Sequence, residues 1–255
     1  MRNRVVEAVT LFVTVFVAAA FTFYSRVVPA QETVRSAEIS TEQLLFIIQG
    51  GLLYDNWYAQ LGTPAPIATH PAYPDASQQK GPATWRCQEC HGWDYKGNRG
   101  TYAKGSHYTG IGGIRNMTDS PVSTIVEILK NEKHRYDEVM PEANLEALAF
   151  FVAHGQVDVD QHIDRTTHKV RGDKGWGERI YQTTCARCHG PDGRFLNFNT
   201  VENPVFIGTF ANRNPWMTLH KIRMGHPDAD MISMLAFGID AHVAILAYAQ
   251  SLPDN

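Results

Sequence analysis

The chain has little cysteine and no large excess of charge of either sign. Its 255 residues include only four cysteines, and 23 Lys and Arg against 26 Asp and Glu leave a formal net charge of −3. So small an imbalance excludes the charge balance typical of nucleic-acid-binding proteins, and a hydrophobic share of 44% excludes an intrinsically disordered chain. All four cysteines belong to two short repeated motifs, so none is left for a disulfide framework, a further metal ligand or a nucleophile.

One apolar segment stands apart, at the N-terminus. Residues 8–24 carry no charge, and Arg2 and Arg4 precede them. The run approaches the roughly 20 residues that span a bilayer and exceeds the usual apolar region of a signal peptide, about 7–15 residues. We predict that residues 1–30 are a signal anchor forming a single-pass transmembrane helix; the alternative is cleavage after Ala30. Either way the remainder is exported to the periplasmic side of the cytoplasmic membrane, because the arginines favour the cytoplasm.

A five-residue motif occurs twice, as Cys-Gln-Glu-Cys-His at 87–91 and Cys-Ala-Arg-Cys-His at 185–189. In Cys-x-x-Cys-His the two thiols add to the vinyl groups of a porphyrin, and the histidine becomes an axial ligand of its iron. Zinc is the alternative for a cysteine pair, but it does not explain the histidine after each pair. Two covalently bound haem c groups are therefore predicted. Their attachment cysteines and first axial ligands are Cys87, Cys90, Cys185, Cys188, His91 and His189.

The elements around the two motifs follow the same order, a loop, a helix and then a closing helix. The predicted helices are at 41–57, 122–130, 145–153, 175–184, 216–224 and 241–251. Five prolines between residues 61 and 82 favour an ordered loop there, because proline ends regular helices. We predict a mainly α protein with two tandem domains, 41–155 and 175–255, joined by a polar linker at 156–174.

Residues 175–252 resemble a class I cytochrome c domain, and residues 41–155 resemble a more divergent copy. The resemblance is carried by the helix leading into the second motif, by Gly-Pro-Asp-Gly directly after it, and by an Asn-Pro pair ending at Pro204. It implies that the Pro204 carbonyl accepts a hydrogen bond from the second ring nitrogen of His189. The first copy has no matching proline.

The resemblance also implies a sixth iron ligand, usually a Met in the loop before the closing helix. In the second copy Met231 lies 16 residues before Ala247 of that helix. Met234 lies closer to the helix, where the loop has less slack, and is predicted to pack in the core. Met231 is therefore the predicted ligand.

In the first copy His134 lies 15 residues before Ala149, the position that corresponds to Ala247. Met140 is followed by a proline, as class I ligands often are, but it stands only nine residues before Ala149. We therefore predict His134 as the sixth ligand of the first haem, with Met140 and His107 as the alternatives.

Thioether ligation raises the potential of a haem relative to a second imidazole, so the first haem is predicted to be the lower-potential centre. This favours a periplasmic electron carrier of a respiratory chain, accepting electrons from a redox partner such as a membrane-bound oxidoreductase complex. A fixed subunit, similar to the dihaem subunit of a haem-copper oxidase, fits as well.

The arrangement also resembles thiosulfate dehydrogenases and dihaem peroxidases, so a redox enzyme is the alternative function. The dehydrogenases carry a cysteine ligand at the catalytic haem, and this chain has no spare cysteine. The peroxidases need an openable iron and tend to be longer. The sequence therefore favours an electron carrier over an enzyme.

Overall fold

A computed structural model describes residues 39–254 of the chain. This part is mainly α, as predicted, with short 3₁₀ and π turns and no strand among the described residues. In chain order the helices are α1 (Thr41–Gln60), α2 (Cys87–His91), α3 (Val122–Lys130), α4 (Glu142–Phe150), α5 (Lys174–Ile180), α6 (Ala186–His189), α7 (Ile207–Arg213), α8 (Pro215–Met224) and α9 (Gly238–Ala249). The predicted transmembrane helix at 1–30 lies outside the described residues. Between residues 39 and 254, no helix is long and apolar enough to cross a membrane.

The longest helix, α1, begins at Ser40 because two side chains satisfy the free N–H groups of its first turn. The Ser40 hydroxyl accepts the N–H of Gln43 at 3.1 Å, and the Gln43 side chain accepts the N–H of Ser40 at 2.9 Å. Further along, Gly50 and Gly51 let two neighbours approach closely. A Cβ at Gly51 would lie 2.6 Å from Cγ of Met224, and one at Gly50 would meet the α4 backbone. The helix therefore packs against both α4 and α8.

Each predicted helix is present, with changes at its ends. The helix predicted at 145–153 begins earlier, at Glu142, and finishes in the π turn Phe151–Gly155. The helix predicted at 175–184 is α5 followed by the π turn Tyr181–Cys185, which leads directly into the second motif. The proline-rich segment contains no α-helix, as predicted, and ends in the 3₁₀ turn Gly81–Trp85.

Two apolar cores lie side by side, and each takes residues from both halves of the chain. Met224 of α8 packs in the core built by α1, α3 and α4, while Trp93 packs in the core built by α8 and α9. Val159 and Ile163, within the predicted linker, are also buried in the second core. Residues from Ile39 onward cluster as one compact unit. The domain boundaries at 41–155 and 175–255 stay a prediction.

Ion pairs connect the segment at 156–174 to the loop that follows the first motif. Arg165 lies 2.7 Å from the fully buried carboxylate of Asp94 and 2.7 Å from Asp160. Lys96 also contacts Asp160. Because Asp94 has no exposed side-chain surface, its pair with Arg165 lies in a region where water screens the charges weakly.

Candidate functional site

The first motif forms a single turn of helix, α2, that opens onto a cavity of about 600 Å³. Cys87, Cys90 and His91 all line this cavity. The turn ends at Gly92, whose φ of +79° suits glycine at the end of a helix. A volume of this size lies within the range of about 300–1,000 Å³ that is typical of cofactor sites.

His134 faces His91 across the first cavity. The two ring centres are 6.4 Å apart and the ring planes differ by 24°. Two imidazoles on opposite sides of one metal ion, each with a metal–nitrogen bond of about 2 Å, place their ring centres about 6 Å apart. The observed spacing therefore fits a metal bound between the two rings, as the predicted pair of axial ligands requires.

Hydrogen bonds determine which nitrogen of each ring faces the cavity. Nδ1 of His91 donates to the carbonyl of Gly112 at 2.8 Å, and Nδ1 of His134 lies 3.2 Å from Oδ1 of Asn131. Nε2 of each ring is thus left for a metal, as is usual when a second group fixes the orientation of a ligand. In the first copy the Gly112 carbonyl has the role that a proline carbonyl was predicted to have in the second.

His70 holds the backbone of His134 in place. Its Nε2–H donates to the His134 carbonyl at 3.1 Å, and its Nδ1 accepts the N–H of Ala72 at 3.1 Å. His70 is only 5% exposed and also lines the cavity. His70 was not among the site residues predicted from the sequence, because its position has no counterpart in the second copy. The feature that marks His70 as part of the site is its burial beside His134, and that burial is known only from the fold.

Burial controls the protonation of the groups in the first cavity. Burial, reinforced by the nearby rings of His91 and His70, lowers the pKa of His134 to about 4. Burial also lowers the pKa of His91, against the opposing hydrogen bond to Gly112. It raises the pKa of both Cys87 and Cys90 to about 12. At neutral pH the cavity therefore presents two thiols and three uncharged imidazoles, those of His70, His91 and His134, and the uncharged imidazole is the form of histidine that binds metals.

The two alternative ligands of the first copy lie elsewhere. Met140 is 4% exposed and packs in the first core, and it is not among the residues that line the cavity. His107 pairs with Glu89 at 2.6 Å and stacks on Tyr102 with ring centres 4.8 Å apart. Of the three candidates, only His134 shares the cavity with His91.

The second motif opens onto a smaller cavity, of about 340 Å³, lined by Cys185, His189 and Met231. Burial raises the pKa of Cys185 to about 11 and lowers the pKa of His189. Cys188 is exposed and is not among the lining residues. Met234 is 4% exposed and packs in the second core. The structure thus brings Met231, and not Met234, into the cavity of His189.

One expectation for the second site is wrong in this structure. Nδ1 of His189 is buried and has no hydrogen-bond partner among the described residues, so it does not donate to the Pro204 carbonyl. The loop around Pro204 instead bonds within itself, since the N–H of Val205 donates to Oδ1 of Asn197 at 3.0 Å. His226, which the sequence analysis set aside as a surface or packing residue, is exposed and also lines the cavity.

Two consecutive residues line different cavities. Cys87 lines the first cavity, and Arg86, the residue directly before it, lines the second. Arg86 was not among the site residues predicted from the sequence, because nothing in the pattern of the first motif relates it to the second motif.

The residues of each cavity fit a haem. A haem iron takes only two ligands from the protein, because the macrocycle supplies the other four. Among residues 39–254 no group of three or more His, Cys, Asp or Glu is arranged to hold a metal ion by itself. Cys87 and Cys90 line the first cavity, Cys185 lines the second, and the remaining walls are largely apolar. In the first cavity these walls include Ile111, Ile114, Ile125, Ile128, Leu129, Leu148 and Val152.

Comparison with known proteins does not assign the chain to a family. No protein-family model matches the chain, and no curated protein does. The assignment of function therefore rests on the motifs and on the geometry of the two cavities.

Proposed function

We propose that the protein is a membrane-anchored dihaem cytochrome c that transfers electrons. One observation carries the proposal: each Cys-x-x-Cys-His motif opens onto its own cavity, and each cavity holds a second axial-ligand candidate. When bound, each haem would supply a one-electron iron couple. The protein itself attaches, orients and encloses the two groups.

Under this proposal the ligands differ between the two haems. Haem one is held between His91 and His134, and haem two between His189 and Met231. Cys87 and Cys90 attach the first, and Cys185 and Cys188 attach the second. Two protein ligands on each iron leave no open position for a substrate, which supports an electron carrier rather than an enzyme.

Electron transfer between the two haems is supported by the consecutive residues Arg86 and Cys87, which line the second and the first cavity respectively. Imidazole donates electron density and favours Fe(III), whereas a thioether favours Fe(II). Electrons would therefore pass from the first haem to the second and then to an acceptor.

The remaining parts of the proposal come from the sequence. Residues 1–30 anchor the chain in the cytoplasmic membrane, and the haem domains at 41–155 and 175–255 lie on the periplasmic side. The electron donor is a redox partner, such as a membrane-bound oxidoreductase complex of a respiratory chain. The negative net charge does not favour binding to nucleic acid, so no nucleic-acid partner is proposed.

Counting covalent haems tests the proposal directly. The full chain is expressed in a host that matures c-type cytochromes, and the intact mass of the unfolded protein is measured. The wild type should carry two haems, and the double variants C87A/C90A and C185A/C188A should carry one each. A wild type that carries no covalent haem would overturn the proposal, as would cysteine variants with an unchanged haem count.

A further inference from the structure

Asp55 is a buried carboxylate shared by two cations from distant parts of the chain. It lies in α1 and is 1% exposed. Nη2 of Arg86 lies 2.6 Å from its Oδ1, and Nζ of Lys221 lies 2.5 Å from its Oδ2. Nε of Arg86 also donates to the Asp55 carbonyl at 2.7 Å. Two positive charges against one negative charge leave this cluster with a net charge of +1.

Both cations of this cluster line the second cavity, and no acidic residue does. The side chains of Arg86 and Lys221 are 25% and 17% exposed, so solvent screens them less than ordinary surface charges. Lys221 also lies 5.6 Å from the centre of the Trp93 ring, a cation–π contact that further fixes its ammonium group. An otherwise apolar cavity thus has one cationic end.

We propose that Arg86 and Lys221 bind the carboxylates of the haem in the second cavity. Haem carries two carboxylate side chains on one edge, and charge-assisted hydrogen bonds from Arg and Lys are the usual protein partners of such groups. This inference rests on the proposed function. It makes the segment that precedes the first attachment motif part of the second haem's site, so that the second site is not complete without the first half of the chain.

The cationic cluster has a consequence for the second haem. A net positive charge beside the cofactor favours the reduced iron, because Fe(II) carries one positive charge less than Fe(III). The cluster therefore raises the potential of the second haem, in the same direction as ligation by Met231. Removing a cation should lower that potential, and removing the charge of Asp55 should raise it.

Redox titration of the full-length dihaem protein tests the inference through R86Q and K221Q. Each should shift the Met-ligated haem roughly tenfold toward the oxidised form, which is about 59 mV for a one-electron couple. D55N should shift the same haem in the opposite direction, and R86K should restore most of the wild-type potential. The infrared difference spectrum between oxidised and reduced protein should also lose or shift its carboxylate bands in R86Q and K221Q.

R165Q is the matched control. Arg165 pairs at 2.7 Å with Asp94 and is 33% exposed, much as Arg86 pairs with Asp55, but it lines neither cavity. If R86Q and K221Q move the second potential no more than R165Q does, the inference is wrong. A haem count below two in the wild type would instead remove the proposed function, so the two failures are distinguishable. If R86Q does not fold, the potentials of K221Q and D55N still test the inference.

Discussion

The two cavities differ in how firmly the protein holds its metal-binding groups. In the first, hydrogen bonds to Gly112 and Asn131 orient both imidazoles, and His70 holds the backbone of His134. In the second, Nδ1 of His189 has no partner among the described residues. His91 and His189 are both imidazoles, so their difference comes from the neighbouring groups that the fold supplies. The candidate sixth ligands differ in type, because an imidazole must present one particular nitrogen, whereas a thioether such as that of Met231 is positioned by packing.

The surroundings of the two cavities also differ. The loops that flank the second cavity leave apolar rings in solvent, with Phe195 68% and Phe237 64% exposed. The walls of the first cavity include residues of α3, α4 and the proline-rich loop. The orientation of the candidate ligands in the first cavity is therefore expected to depend on the hydrogen bonds to Gly112 and Asn131. The position of the candidate ligands in the second cavity is expected to depend on the packing of its loops.

His134 should show the largest effect. H134A should abolish the bis-imidazole signal of the first haem in electron paramagnetic resonance, because His134 is the only one of the three predicted candidates that lines the cavity of His91. The iron should become high-spin, while the second haem is unchanged. M140L is the control and should leave both signals intact. A histidine–methionine signal of the first haem that H134A keeps and M140L loses would instead assign the ligand to Met140.

Met231 provides the corresponding test in the second cavity. M231L should abolish the Met-to-iron charge-transfer absorption of the second haem, and M231H should lower its potential because imidazole favours Fe(III). M234L and H226Q are the matched controls. Loss of the absorption in M234L or a change of ligand in H226Q, with M231L unaffected, would contradict the assignment.

Asp55 pairs with two cations that line the second cavity, and its removal should destabilise the fold as a whole. Burial alone would raise the pKa of Asp55, but the charges of Lys221, His220 and Arg86 outweigh it and hold the pKa below its ordinary value. Replacing Asp55 leaves two cations without their carboxylate, and breaking a buried pair costs about 3–5 kcal/mol. We therefore expect D55N to lower the free energy of unfolding by about 3 kcal/mol at pH 7.

The pH dependence of this loss has a definite sign. The pKa of an aspartate in an unfolded chain is about 3.9, so the stabilisation by ionised Asp55 is complete above that pH. It fades as the pH falls through the lower pKa of the folded state. Denaturant titrations should show a gap between wild type and D55N that is constant above about pH 5 and narrows below about pH 4. A gap that widens on acidification would contradict the lowered pKa.

His70 should give the smallest of these effects and one confined to the first cavity. H70A leaves the carbonyl of His134 without its side-chain donor and should lower the free energy of unfolding by about 1–3 kcal/mol. The signal of the first haem should broaden while that of the second stays sharp. H154A, at a half-exposed histidine, is the control. Equal broadening of both signals would show that His70 acts on the fold and not on His134.

Much of this architecture could be predicted because it depends on local chemistry. Cys-x-x-Cys-His fixes the attachment groups, helical periodicity and proline fix the elements, and the distance to the closing helix selected His134 over Met140. Groups defined by long-range packing could not be predicted. The Gly112 carbonyl is a main-chain group with no side-chain pattern. Arg86 reaches the second cavity only because α1 packs against α8, a contact that no motif encodes.

Low-temperature electron paramagnetic resonance combined with near-infrared magnetic circular dichroism of the oxidised protein tests the central claim most directly, because it reports the axial ligands of each haem separately. The account predicts one bis-histidine haem, with His91 and His134 as ligands, and one histidine–methionine haem, with His189 and Met231. A high-spin or water-ligated haem would contradict it, since an open iron would indicate an enzyme that binds a substrate at that position.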